Sequence, residues 1–400
     1  MENKPRSTIQ TTVDNDSNSD DDIGPVIKTK SSFSRQLTNL KDTIVEKQLV
    51  ERLEMYGCAV LSIFDMASDT IMIAKYNASG RERYATATIV CLLLCLTSQV
   101  LNTYLQNRKM RRQRQLKEQL LVLTLIKPVI DIWRAANHSE SKREKGTLVD
   151  PKSELRMNRN VEMMFEALPG TVIQMAAIVS AKEIDSVMYF ALMSSMVSAA
   201  ILSTYTSLDW NTDKENRKCD PDFFGYVPDG HVRKIVVFLS LFCASMFNLL
   251  VSSLACVLLH QRGMHVVVIA LGSELAIFLF LKILQRDILH WAPIYGIQAY
   301  FIAALGRITV KVLGDWTFYV HFRHPQEVGG AHLAFGSLCT VTIGILFLYL
   351  VDEVEGLFEK ATIVKIMIAG IGGLLLSCIV FLCSIDQKYI SMFISTQTGN

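Results

Sequence analysis

Ile235–His260 reads IVVFLSLFCASMFNLLVSSLACVLLH, an apolar run unbroken by Asp, Glu, Lys or Arg. As a helix it would be about 39 Å long, more than the ~30 Å of hydrocarbon in a bilayer. In lipid a backbone must pair its own N–H and C=O groups, so such a run reads as a membrane-spanning helix. Further apolar runs lie at 56–74, 85–105, 161–181, 186–207, 264–284, 291–313, 331–351 and 361–383. They extend the reading to an all-α, polytopic transmembrane helix bundle. The run at 291–313 holds Pro293, Arg307 and Lys311, and it is read as a partial segment. The expectation is about eight spans plus one or two re-entrant or half-inserted helices.

Composition agrees: the 400 residues are 50% hydrophobic, and the net charge of +2 gives no reason to expect nucleic acid as a partner. Cys58, Cys91, Cys95, Cys243, Cys256, Cys339 and Cys378 lie inside apolar runs, Cys383 ends the last one and Cys219 lies in a loop. They read as small apolar side chains rather than a disulfide framework. Small residues recur at every fourth position, as in Ala191, Ser195, Ala199, Ser203, in Gly336, Thr340, Gly344 and in Ala369, Gly373, Ser377. That spacing lets helix backbones approach closely in lipid.

Four regions follow. Residues 1–33 are polar, with the run Asp20–Asp22, and read as a disordered tail without the apolar core of a secretory leader. Residues 34–54 carry Leu37, Leu40, Ile44, Leu49 and Leu53 among charges, the pattern of an amphipathic juxtamembrane helix. Residues 55–383 form the transmembrane domain, and 384–400 a short tail. The stretch Leu120–Trp133 is broken by Lys127 and Pro128; it is too short to span and reads as a half-inserted helix. Basic residues dominate 106–119 and 138–160, which places both on the cytoplasmic side together with the amino terminus.

Ionisable residues inside the runs are costly and therefore informative. Asp65 and Asp69 stand four apart on one face of the first run, and Glu162 and Glu166 repeat the spacing at the start of the third, with Gln174 on the same side. Each acid costs roughly 2.5–3.5 kcal/mol at mid-membrane on insertion scales, so these faces turn from lipid towards a polar interior. Glu274, Lys282, Arg307 and Lys311 add charge in later runs. His321, His324 and Glu327 are a weak metal set, better read as an interfacial loop. Asn77-Ala78-Ser79 matches a glycosylation acceptor in a short external loop. There is no nucleotide-binding glycine loop and no zinc-type cysteine spacing, so no cofactor and no enzymatic activity are expected.

Four stretches carry a resemblance. FDMASDTIMIAKY (Phe64–Tyr76), LIKPVIDIWR (Leu125–Arg134), EMMFEALPGTVIQ (Glu162–Gln174) and STYTSLDW (Ser203–Trp210) occur in the order found in the XK-related family, which the chain resembles over about residues 55–260. The departures include Gly170, where the family has glutamine after the proline, and Lys127, where it has glycine before the half-helix proline. The stretches 214–229 and 322–327 also differ, as in a distant branch. The resemblance implies ATP-independent phospholipid scrambling with membrane lipids as partners, and an accessory membrane subunit or a second copy as candidate companions. By position it carries over Asp65, Asp69, Glu162, Glu166 and Gln174 as groove residues, with Arg134 as the nearby cation. A transporter or channel for a polar solute or ion, and a non-transporting assembly or receptor subunit, stand as rival readings. The plasma membrane is the expected location. The short 384–400 tail has no acidic protease motif, so activation by cleavage there is not expected; phosphorylation of the amino-terminal tail is the expected lever if the protein is gated.

Overall fold

The computed structural model describes residues 56–57, 60–124, 126–137, 146–147, 151–181, 185–213, 217–218, 225–228, 230–284, 297–317 and 360–385. The amino-terminal tail, the 34–54 helix, the run at 331–351 and the set His321, His324 and Glu327 lie outside them. The described residues belong to one compact unit, Leu53–Asn400.

The helices are α1 (60–78), α2 (Glu82–Gln106), α3 (Arg112–Leu123), α4 (Lys127–Asn137), α5 (Pro151–Glu162), a π-helical turn (Met163–Ala167), α6 (Leu168–Val179), α7 (Ser186–Thr212), α8 (His231–Gln261), α9 (Met264–Leu284), α10 (Ile297–Trp316) and α11 (Lys360–Ser384). Six helical stretches are long and apolar enough to cross a membrane: Glu82–Gln106, Ser153–Val179, Ser186–Thr212, Val232–Gln261, Met264–Leu284 and Ala361–Ser384. Helix α1 carries Asp65, Asp69 and Lys75, and α10 carries Arg307, Lys311 and Asp315; neither is among the six.

Helix α8 is the hub, packing against α6, α7, α9, α10 and, most extensively, α11. Small residues permit this. Ala191, Ser195, Ala199 and Ser203 are all buried along α7, and the Ser203 and Ser245 hydroxyls meet at 3.1 Å. On α11, a Cβ at Gly370 would lie 2.7 Å from Val251 Cγ2, and one at Gly373 would lie 2.5 Å from the Phe247 ring. Glycine is what lets α8 sit against α11 at this distance. Large apolar side chains face outward, among them Leu93 and Leu101 on α2, Ile269 and Phe280 on α9 and Ile368 and Leu376 on α11, as a lipid-facing belt requires. The described cysteines, at 91, 95, 243, 256, 378 and 383, are free thiols.

Two segments differ from the sequence expectation. The third run was expected to begin at 161, but the helix begins at Pro151 and continues without a break in helical structure to Val179. Its first turns, PKSELRMNRNVE, look like a loop because their polar groups are satisfied by residues far along the chain. Glu154 accepts from Lys127, Asn158 donates to Asp131 and Arg156 pairs with Asp209. Glu162 and Glu166 therefore lie near the middle of a membrane-length helix rather than at its start. The half-inserted segment Leu120–Trp133 is likewise two helices, α3 and α4. Pro128 falls in the first turn of α4, where its missing N–H costs no helical hydrogen bond.

Candidate functional site

Helix α1 has two faces. Ser62, Asp65, Ser68, Asp69, Met72 and Tyr76 are buried, whereas Val60, Ile63, Phe64 and Ile71 are exposed. The four-residue spacing thus turns both aspartates inward, leaving Asp65 1% and Asp69 2% exposed. Gln174 on α6 joins them to α7: its Nε2 donates to Asp69 Oδ1 at 2.7 Å and to Ser195 Oγ at 3.2 Å. Ser195 in turn donates to Asp65 Oδ1 at 2.8 Å. Gly170 lies one turn before Gln174, and a Cβ there would sit 3.6 Å from Asp69 Oδ2 and 3.9 Å from Ser195 Oγ.

The second acid pair occupies the π-helical turn and the residue before it. Pro169 has no N–H to give the Phe165 carbonyl, and the chain takes a wide turn over Met163–Ala167. The Thr171 hydroxyl donates to the Ala167 carbonyl at 2.7 Å. Glu166 is buried in this turn; its Oε2 accepts from Cys95 Sγ at 3.3 Å, and Gln99 Nε2 donates to the same sulfur at 3.4 Å. Glu166 Oε1 and Gln174 Oε1 have no hydrogen-bond partner among the described residues. Both Glu162 and Glu166 lie within electrostatic reach of Asp65. The four acids expected to share an interior do share one.

Arg134 does not join them. Its guanidinium grips Glu118 with two bonds, Nη1 to Oε2 at 2.9 Å and Nη2 to Oε1 at 2.6 Å, and lies 3.8 Å from Asp131. That places it in a separate charged cluster tying α3, α4 and α5 together. At its centre Lys127, 1% exposed, is 2.5 Å from Asp131, 2.8 Å from Glu154 and 3.6 Å from Glu118. Burial opposes the Glu118 charge, but the Arg134 hydrogen bonds and the nearby Lys127 outweigh it and hold this carboxyl below its ordinary pKa.

A narrow cavity runs between this cluster and the acids. Its polar walls include Ser62, Gln99, Asp131, Asn158, Arg159 and Glu162, and it is wide enough for roughly one water molecule. The basic residue beside Glu162 in the cavity is Arg159. In the sequence Arg159 counts only as one of the cytoplasmic loop's charges, and Ser195 only as a small packing residue. Their roles depend on partners from other helices, so spacing alone could not reveal them.

The remaining candidates lie elsewhere. Glu274 on α9 accepts from Lys311 on α10 at 2.9 Å, and Lys311 also pairs with Asp315 and lies over the Phe278 ring. The Arg307 side chain lies outside the described residues. Asn77 is exposed on the last turn of α1, and the Ser79 hydroxyl donates to the carbonyls of Lys75 and Tyr76. Among the described residues no three His, Cys, Asp or Glu side chains form a metal-sized group.

No curated protein matches the chain. Residues 55–222 match the XK-related protein family. This stretch contains the buried acids of α1 and α5 and the π-helical turn, the α3–α4 cluster, Gln174 and Ser195. The chain is an integral membrane protein, and over residues 55–222 it is similar to the XK-related protein family.

Proposed function

We propose that this protein lets phospholipids pass between the leaflets of a membrane, downhill and without ATP, by guiding headgroups along the polar interior of α1, α5, α6 and α7. The observation that carries this reading is the burial of Asp65, Asp69, Glu162 and Glu166 in one interior of a lipid-embedded bundle. A headgroup crossing bare hydrocarbon loses its water with nothing in return, and fixed charges and amides lower that barrier while the acyl chains stay in lipid. The cavity has room for roughly one water molecule, so this reading requires the helices around it to part during passage. No chemical step and no cofactor enters this reading. The plasma membrane is the proposed location, and subcellular fractionation tests it.

The experiment is reconstitution of the purified protein in liposomes carrying a fluorescent lipid, with dithionite added outside. Scrambling exposes the inner-leaflet dye, and quenching should proceed beyond the outer-leaflet fraction. The paired variants D65N/D69N and E162Q/E166Q should slow it while remaining monodisperse in detergent. Well-folded neutral variants that scramble at the wild-type rate would remove the acids from the pathway. The orphaned oxygens of Glu166 and Gln174 also suit a small cation, so ion flux in the same liposomes tests permeation as a rival. Flux without lipid mixing would favour the rival.

A further inference from the structure

The cavity between α4 and α5 holds a cation whose bonding is incomplete. Lys127 also lines it, but Asp131 and Glu154 already hold that ammonium at 2.5 and 2.8 Å. Arg159 is only 6% exposed, lies 5.7 Å above the centroid of the Tyr205 ring, and has no hydrogen-bond partner for Nη2 among the described residues. A guanidinium N–H taken out of water and left without an acceptor is a standing cost, and a bound acceptor would recover it. Glu162 follows three residues later on the same side of α5 and lines the same cavity. One helical turn separates the Cβ atoms of such a pair by about 5–6 Å, a spacing suited to opposite charges joined by a two-carbon bridge. Ile132 and Leu155 supply apolar wall beside them.

We infer that this cavity is a binding site for a zwitterionic phosphodiester headgroup, with Arg159 Nη2 donating to a phosphate oxygen and the Glu162 carboxylate receiving the ammonium. The inference rests on the proposed lipid transport and names the headgroup class that the pathway receives. The same chemistry occurs in a membrane lipid and in a soluble glycerophosphodiester; the apolar wall favours the lipid. At its present width the cavity takes about one water molecule, so binding a headgroup requires its walls to widen.

The test is native mass spectrometry of the full chain in detergent with dihexanoyl-phosphatidylethanolamine, with dihexanoylglycerol, and with glycerophosphoethanolamine as a soluble competitor. Wild type should retain the phospholipid in preference to the neutral glyceride. Arg159→Gln should weaken phospholipid retention by about tenfold, as expected for loss of one charge-assisted hydrogen bond, and leave the glyceride unchanged. Arg159→Lys, which keeps the charge, should recover part of the loss. Competition by the soluble ester at equal concentration would overturn the lipid as the source. Equal phospholipid retention by wild type and a monodisperse R159Q would overturn the site. Should R159Q fail to fold, Glu162→Gln decides: it should lose the preference for phosphatidylethanolamine over phosphatidylglycerol, and an unchanged preference refutes the pairing. Dithionite assays on the same preparations separate this inference from its parent. Binding without scrambling leaves the site and removes the function, whereas scrambling with R159Q binding as wild type does the reverse.

Discussion

Lys127→Met should destabilise the fold through the carboxylates it strands. Lys127 is buried beside Asp131, Glu154 and Glu118, at 2.5, 2.8 and 3.6 Å. Removing one partner of a buried pair costs about 3–5 kcal/mol, because the other charge stays out of water unpaired. Here Arg134 still holds Glu118 at 2.6 Å and lies 3.8 Å from Asp131, so Glu154 bears most of the loss. The lower end, about 3 kcal/mol, is therefore expected. At roughly 2 °C per kcal/mol for a chain of this size, the melting temperature should fall by about 6 °C. The assay is a thermal melt in detergent followed by fluorescence-detected size exclusion. Removing the stranded charges as well, in K127M/D131N/E154Q, should recover most of the loss, since a neutral, well-packed replacement of a buried ion cluster is often close to neutral in stability. A K127M protein that melts with wild type would refute the argument, as would a triple variant that melts no higher than K127M.

Three further outcomes are expected. Gly373→Ala places a Cβ 2.5 Å from the Phe247 ring and should cost about 1–3 kcal/mol by overpacking; F247L in the same chain should restore most of it, and a melt of G373A equal to wild type would contradict the tight α8–α11 contact. Because the folded Glu118 pKa is depressed, its stabilisation is full above the ordinary value of 4.5 and is lost as the pH falls through the lower folded value. The melts of E118Q and wild type should accordingly differ at neutral pH and converge once the pH has fallen below that lowered folded value, and a gap that persists in strong acid would show that the pair does not act through charge. A cysteine at exposed Arg108, R108C, should be labelled only after cells are permeabilised, and labelling of intact cells would invert the proposed orientation.

The spans were legible because lipid imposes one demand on the backbone, and uninterrupted apolar runs are how a sequence meets it. The inward faces of Asp65 with Asp69 and of Glu162 with Glu166 were legible for a similar reason: helical geometry puts residues four apart on one side. What the sequence hid depends on distant partners. Lys127 reads as an interruption in an apolar run, yet its acceptor Glu154 lies 27 residues away. The same exchange of charge makes Pro151–Glu162 a buried helix although its composition is that of a loop. Arg134 was assigned to the acids of α1 and α5, but Glu118 offers it a two-pronged partner on the neighbouring helix. Nothing in local periodicity ranks those alternatives.

The glycine-floored contact between α8 and α11 also sets a schedule for biogenesis. Helix α8 ends at Gln261 and its main partner begins at Lys360, so about a hundred residues must be made before the two can meet. At roughly 5–20 residues per second, that delay is on the order of 5–20 s. Throughout it the Phe247 and Val251 side of α8 has no α11 to cover it. Nascent chains halted before Lys360 should therefore be held by the insertion machinery or cleared by membrane quality control, while chains halted after Ser384 escape both. Pulse-chase of the two lengths would show whether synthesis of α11 marks the moment at which this bundle becomes safe to release.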